Sequence, residues 1–207
     1  MQQDSPPINT QDPGELARMV QQVDSSLSYI SDMNPEDHNF RTLLVERDGT
    51  QAVLKVRAPS NNIWDETHFY YEIHALRRTE ERHMTDVVRL LGEYQSSDYH
   101  AILKSFAQGT PCNRLDHEAL LLDPDFIKKL DALYLKLHLA GIARIDFQPR
   151  KLVVRDDGGL TLVDLNTCLV NTEVGTETFS HEMREDSHFI TRLEKASRKA
   201  GKSAGVA

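Results

Sequence analysis

The segment RTLLVERDGTQAVLKVR, residues 41–57, constrains the fold more than any other stretch of the chain. Two β-prone runs flank Asp48-Gly49, and an Asp-Gly pair supplies the positive φ angles of a tight hairpin turn. A second hairpin signal, KLVVRDDGGLTLVDL, turns at Asp157-Gly158-Gly159. VVRLLGEYQ and YHAILKSF predict a further strand pair, and AQGTP breaks the chain after it. Helical spacing appears elsewhere. ELARMVQQVDSSL puts Leu16, Met19, Val20 and Val23 on one face, and WDETHFYYEIHALRRTEERH reads as a long helix. PDFIKKLDALYLKLHLAG is amphipathic, with Pro124 near its start and Gly141 just past its end. The last stretch, from Phe179, predicts a helix fading into a basic tail. Strands dominate the first half and helices the second, with one hairpin inside the helical half. That order predicts an α+β chain of two lobes rather than a doubly wound sheet. The expected boundaries are a flexible leader at 1–14, an N-terminal lobe at 15–106 with a sheet and the Glu72 helix, a short C-terminal lobe at 107–200, and a tail at 201–207.

Composition narrows the function. Of 207 residues, 39% are hydrophobic and 27% charged, enough for a core and against global disorder. The formal net charge of -8 argues against general nucleic-acid binding, which calls for a basic face toward phosphates. Cys112 and Cys168 stand far apart in no metal-ligand pattern, so a reduced, cytoplasmic setting is expected. No run is long enough to span a bilayer and no secretory signal is visible, leaving export by a route that reads no such signal as the alternative.

Four charged residues stand out by position. Lys55 lies in AVLKV, where strand alternation puts Ala52, Leu54 and Val56 on one side and Val53, Lys55 and Arg57 on the other. Glu72 interrupts an apolar helical stripe of Phe69, Ile73 and Leu76. Asp146 follows the helix that Gly141 ends, in GIARIDFQPRKLVV. Asp164 ends the apolar run LTLVD, where an acid is unfavourable unless something positive meets it.

Taken in order, these residues resemble the protein-kinase-like superfamily. AVLKV is similar to its V-A-I-K strand, LHLAGIARIDFQPRKLVV to its helix and H-R-D-x-x-x-x-N loop, and LTLVDLN to the strand leading into D-F-G. GIARIDFQPRKLVV with LTLVDL also resembles the lipopolysaccharide-kinase branch, and the short C-terminal lobe resembles minimal bacterial effector kinases. The resemblance implies a two-lobed kinase-like fold with a reduced helical lobe, using ATP and Mg²⁺ as cofactors. It gives Lys55, held by Glu72, the role of fixing the ATP phosphates, Asp146 that of the base, and Asp164 that of the metal ligand. KSFAQGTP becomes the hinge, with Lys104, Ser105 and Phe106 facing the adenine, and Val53 and Leu152 become its apolar walls.

The chain also departs from that pattern. Arg144 and Ile145 replace the histidine and arginine of H-R-D, and Lys151 replaces the asparagine. A protonated lysine ligates no cation, so Lys151 is expected either to present its own charge to the phosphates or to plug the metal site. D-F-G reads Asp164-Leu165-Asn166, and no glycine occurs between Asp24 and Asp48, where a phosphate-covering loop would stand. SDMNPEDHN fills that place with Asp32, Glu36 and Asp37, which would repel a triphosphate unless turned away. The reading is an atypical minimal kinase acting on a hydroxyl of a protein, sugar or small molecule. A catalytically weak pseudokinase that serves as a binding or regulatory module is the alternative. The expected partner is an acceptor of unspecified class, or one dedicated protein. His138, near the helix end, is expected only to pack and cap.

Overall fold

The structure, a computed structural model, describes residues 10–36, 40–57 and 63–204. Residues 1–9 of the expected leader, Asp37 in the acidic segment, and 205–207 of the tail lie outside the described residues. By internal contacts the chain divides into two compact units, one of Met1–Thr67 with Arg89–Phe106, the other of His68–Val88 with Ala107–Ala207.

The first unit begins with α1 (Pro13–Val23), whose first two residues fall in the stretch read as leader. Asp12 caps it, its carboxylate accepting the N–H groups of Gly14 and Glu15, and Pro13 has no N–H to leave unpaired. A sheet follows, built of β1 (Ser28–Asp32), β2 (Phe40–Arg47), β3 (Thr50–Arg57), β4 (Leu90–Gln95) and β5 (His100–Ser105). All its pairings are antiparallel, in the order β1-β2-β3-β5-β4. The first hairpin closes as expected: Arg47 faces Thr50, with Asp48 at φ 51° and Gly49 at φ 76°. α1 lies on one face of this sheet. Leu16, Met19 and Val20 pack with Leu27, Leu43, Val45, Leu54, Val56 and Leu103, each nearly excluded from solvent. Each such side chain stabilises the fold by about 1.5–3 kcal/mol. Alternation holds on β3, yet both of its rows are buried, since Lys55 and Arg57 are only 6% exposed. β1 is an edge strand with a weak apolar alternation, and the sequence does not announce it.

The division between the units falls inside α2 (Ile63–Glu81), between Thr67 and His68. The second unit holds the rest of that helix, β6 (Thr110–Pro111), α3 (His117–Leu122), α4 (Pro124–Leu139), β7 (Ile142–Ala143), β8 (Leu152–Val154), β9 (Leu160–Leu162), β10 (Leu169–Val170) and α5 (Thr176–Ala204). α4 buries Phe126, Ile127, Leu130, Leu133, Tyr134 and Leu137, packing on α5, α3 and β7. β8 and β9 form the second hairpin, with Gly158 at φ 74° in its turn. Arg155 braces that turn, donating to the Leu160 carbonyl at 2.8 Å and to Asp86 at 3.4 Å. Val87 and Val88 were expected to begin a strand with Leu90. They run instead beside β9, where Val88 N–H donates to the Leu162 carbonyl at 3.1 Å. Among the described residues no helix is long and apolar enough to cross a membrane.

Candidate active site

The loop that carries Asp146 is built from the end of α4. Gly141 N–H donates to the His138 carbonyl at 2.9 Å, and Gly141 adopts φ 82° to leave the helix. A Cβ there would stand 2.7 Å from Asn171 Oδ1, so glycine is required twice over. β7 then pairs antiparallel with β10, Ile142 facing Val170 and Ala143 facing Leu169. Arg144 turns the chain at φ 57°, a left-handed conformation that is unusual outside glycine. Its Nε donates to the Thr167 carbonyl at 2.6 Å.

Ile145, just before the aspartate, is clamped at both ends of its backbone. Its N–H donates to Asp186 Oδ1 at 3.0 Å, and its carbonyl accepts from the Tyr134 hydroxyl at 3.0 Å. Burial pushes the Tyr134 phenol far above its ordinary value, so it stays a donor at any physiological pH. The other oxygen of Asp186 meets His138 Nε2 at 2.9 Å, and both side chains are more than nine-tenths buried. A carboxylate on α5 and an imidazole on α4 thus hold the loop backbone in place. His138 does more than pack: it satisfies a buried acid that the sequence reading did not pick out.

Asp146 is partly open, its side chain 36% exposed. Lys151, only 4% exposed, sits beneath it in a short 3-10 turn at Pro149–Lys151. Lys151 Nζ donates to Asp146 Oδ2 at 3.0 Å and to Asn166 Oδ1 at 3.0 Å. The Gln148 side-chain amide donates to that same Asp146 oxygen. Both bonds therefore fall on Oδ2 of Asp146. On the far side, Asn166 N–H donates to Asp164 Oδ1 at 3.2 Å. The chain of contacts runs from Asp146 through Lys151 and Asn166 to Asp164. The hairpin fixes its length, because Val163 N–H donates to the Lys151 carbonyl at 2.9 Å.

Asp164 stands two residues beyond the end of β9, half-buried, rather than closing the strand. Asp164 Oδ1 is turned to the Asn166 N–H. Among the described residues no three His, Cys, Asp or Glu side chains converge as a metal cage. Mg²⁺ held by one carboxylate plus substrate phosphates needs no such cage. Leu152 is buried opposite Leu162 in the hairpin, and Glu72 is fully buried in α2. Cys168 is buried nearby, and burial pushes its thiol up.

The remaining expected residues lie in the first unit. Lys55 is buried, with its ammonium 4.7 Å over the Phe40 ring, and faces Ile102 across the sheet. Val53 faces Lys104, which is 4% exposed. Ser105 N–H donates to the Arg89 carbonyl at 2.9 Å, and its hydroxyl accepts the Arg89 N–H at 2.9 Å. That strand-end bridge uses the Ser105 backbone donor. In the segment standing where glycines were expected, Arg41 takes up Asp32. Its Nη1 lies 3.4 Å from Asp32 Oδ2 and donates to the Pro35 carbonyl at 2.9 Å. That acid is therefore neutralised rather than aimed at solvent.

Solved structures similar to this chain include one described as "Crystal structure of BubR1 kinase domain", at a TM-score of 0.56 and 12% identity. The match covers 73% of this chain and 49% of that one, so this chain spans about half the length of the kinase domain it resembles. No protein-family model matches the sequence, and no curated protein does. At that identity the likeness establishes the fold. The chain has an α+β protein-kinase-like fold, as its ordered motifs imply.

Proposed function

We propose that this chain is an atypical, minimal bacterial kinase that transfers the ATP γ-phosphoryl group to a hydroxyl. The observation that carries the reading is the Asp146–Lys151–Asn166–Asp164 chain of contacts at 3.0–3.2 Å. It spaces a solvent-facing carboxylate from a metal-competent one by a buried ammonium. Asp146 accepts the acceptor's proton as the new P–O bond forms, while Lys151 and Gln148 hold its Oδ2 so that the side chain cannot swing. Asp164 would hold Mg²⁺, and the ion would neutralise charge on the β- and γ-phosphates. The resemblance assigns the remaining phosphates to Lys55 and Glu72, the adenine edge to Phe106 and its neighbours, and the apolar walls of the base to Val53 and Leu152. Lys151 supplies a fixed positive charge where the resemblance would place a second metal ligand, so one metal ion suffices. The resemblance of GIARIDFQPRKLVV and LTLVDL to the lipopolysaccharide-kinase branch leaves the acceptor as the hydroxyl of a protein, a sugar or a small molecule.

One observation favours a second reading. Lys151 is bonded on both sides, and an ammonium so placed also blocks metal approach to Asn166. On that reading the chain is a pseudokinase that binds a partner without turnover. Incubation with Mg²⁺ and γ-labelled ATP separates the two. The kinase reading expects label transfer or ATP hydrolysis by wild type and at least a hundred-fold less from Asp146→Ala and Asp164→Ala, the scale of general-base and charge-stabilising groups. Equal rates in all three would leave only the binding module. Failure of ATP with Mg²⁺ to raise the melting temperature would remove nucleotide binding as well.

A further inference from the structure

α5 is fastened along one face only. Its Asp186 meets His138 of α4 at 2.9 Å, its Phe189 ring stands edge-on to Tyr134, and its Ser197 hydroxyl donates at 2.6 Å to the Leu122 carbonyl, where α3 ends. Asp186, Ile190 and Ser197 are all buried on that inner face. At about 100° per residue, Arg192, Lys195 and Lys199 fall on one row that points the opposite way, with Arg198 beside it. All four are exposed. The row is about 10 Å long, and the letters add Lys202 at the same spacing.

Residues 192–204 hold five cations and one acid, a net of +4, in a chain whose formal net charge is -8, so the rest of the chain carries -12. Exposed cations such as Arg18 and Lys136 are matched by acids, Glu15 and Asp86. On α5 the one acid of this stretch, Glu194, lies 3.4 Å from Arg198, and Arg192 and Lys195 have no ion-pair partner among the described residues. Like charges three and four residues apart repel along a helix, so the row costs α5 stability unless an external anion meets it. The row carries no aromatic or large apolar side chain, and so lacks the anchor that a protein interface needs at its centre. A strand of nucleic acid following the row would find nothing to stack on and would run on toward the acidic remainder of the chain. An anionic bilayer asks only for cations on an outward face, and beyond about 8–10 Å its field is screened from the rest of the chain.

We infer that the outer face of α5 docks this chain on an anionic lipid surface, with Arg192, Lys195, Arg198 and Lys199 against the headgroups. The contact is electrostatic, without insertion, and each basic residue contributes about a five-fold change in partition. The Asp146 loop is held at the inner face of α5 through Asp186, so a bilayer on the outer face leaves that loop uncovered. Docking of this kind needs no kinase activity and serves an enzyme or a binding module alike.

The test is co-sedimentation of the full chain with lipid vesicles at about 0.05 M salt. Vesicles of phosphatidylcholine with about 30% phosphatidylglycerol are expected to bring the chain down, and phosphatidylcholine alone to leave it in solution. Salt at about 0.5 M is expected to weaken binding about ten-fold or more. Arg192→Gln, Lys195→Gln, Arg198→Gln and Lys199→Gln together keep good helix formers and are expected to weaken binding about a hundred-fold or more. Lys195→Gln alone, too mild to unfold α5, is expected to weaken it about five-fold. Arg18→Gln, Arg82→Gln, Arg114→Gln and Lys128→Gln together remove the same charge from exposed positions elsewhere. That control is expected to stay within about three-fold of wild type. No binding to the anionic vesicles, or equal binding to neutral ones, would overturn the docking face. So would wild-type binding by both α5 variants, or a control that loses as much as the quadruple α5 variant. Tighter binding to a duplex oligonucleotide or to polyglutamate than to the vesicles, lost in the α5 variants, would overturn the lipid assignment.

Discussion

Replacing Asp186 by alanine removes the side chain that accepts the Ile145 N–H and so anchors the Asp146 loop by its backbone. The carboxylate and its partner His138 are 7% and 8% exposed, and Ile145 is 8% exposed, so water cannot take the vacated place freely. One charge-assisted bond to the imidazole is lost, worth about 1.5–3 kcal/mol. The Ile145 N–H is left buried without its acceptor, at a cost of about 1–3 kcal/mol. Together these span about 2.5–6 kcal/mol, and a value of about 3–4 kcal/mol inside that span matches the usual cost of breaking a buried polar pair. With a urea m-value of about 2 kcal/mol/M, the unfolding midpoint should fall by about 1.5–2 M. Asp186→Asn keeps an acceptor for the Ile145 N–H and loses the charge facing His138, so it should cost only about 1–2 kcal/mol. Equilibrium urea unfolding of the three proteins side by side reads this directly. A midpoint shift below about 0.25 M for Asp186→Ala, or an asparagine variant worse than alanine, would refute the argument that Asp186 anchors the loop.

Further outcomes follow from other parts of the chain. Val20→Asp puts an unpaired charge at a fully buried position between α1 and the sheet, and should cost more than about 3 kcal/mol, seen as a collapse of melting temperature or soluble yield. Asp24 is held well below its ordinary value of 3.8, chiefly by hydrogen bonds from Ser26, with Tyr94 and Arg47 adding to them. A depressed carboxyl stabilises the fold above its unfolded value and loses that contribution as pH falls. Asp24→Asn should therefore melt lower than wild type at pH 7, and the gap should close as pH drops below 3.8; a gap that widens in acid contradicts the sign. Gly109 adopts φ 129°, and a Cβ there would stand 2.3 Å from the Val154 carbonyl oxygen, a backbone atom. Gly109→Ala should destabilise by several kcal/mol on the scale of steric strain in tight sites, read by thermal unfolding.

The sequence exposes those features whose cause is local. Asp48-Gly49 needs only its own φ preference to set the first hairpin, and Pro124 and Gly141 punctuate α4 for reasons confined to its ends. Glu72 and Lys55 betray themselves by standing where apolar neighbours should be, and both prove buried. What stays hidden depends on distant partners. Asp186 lies 48 residues from His138 and 41 from Ile145, on a helix whose local pattern is ordinary and polar. Glu173, which accepts from the Tyr70 hydroxyl, lies 103 residues from it. Lys151 is visible as an odd residue, but its bond to Asn166 depends on hairpin register, which the turn sets rather than the letters. The signal that Asp186 does carry is weak: in FSHEMREDSHFI it falls on the same helical face as Phe179 and Ile190, both buried.

Lys151 is where the account is most exposed. It bridges Asp146 and Asn166, and it stands where the family resemblance would place a metal-binding asparagine. The phosphoryl-transfer rate of Lys151→Asn, measured with γ-labelled ATP and Mg²⁺ beside wild type, tests the claim that this ammonium serves the reaction. If Lys151 is the working cation, the variant should lose about a hundred-fold or more in rate. A variant faster than wild type would mean that the lysine had been blocking a metal, and would contradict the account.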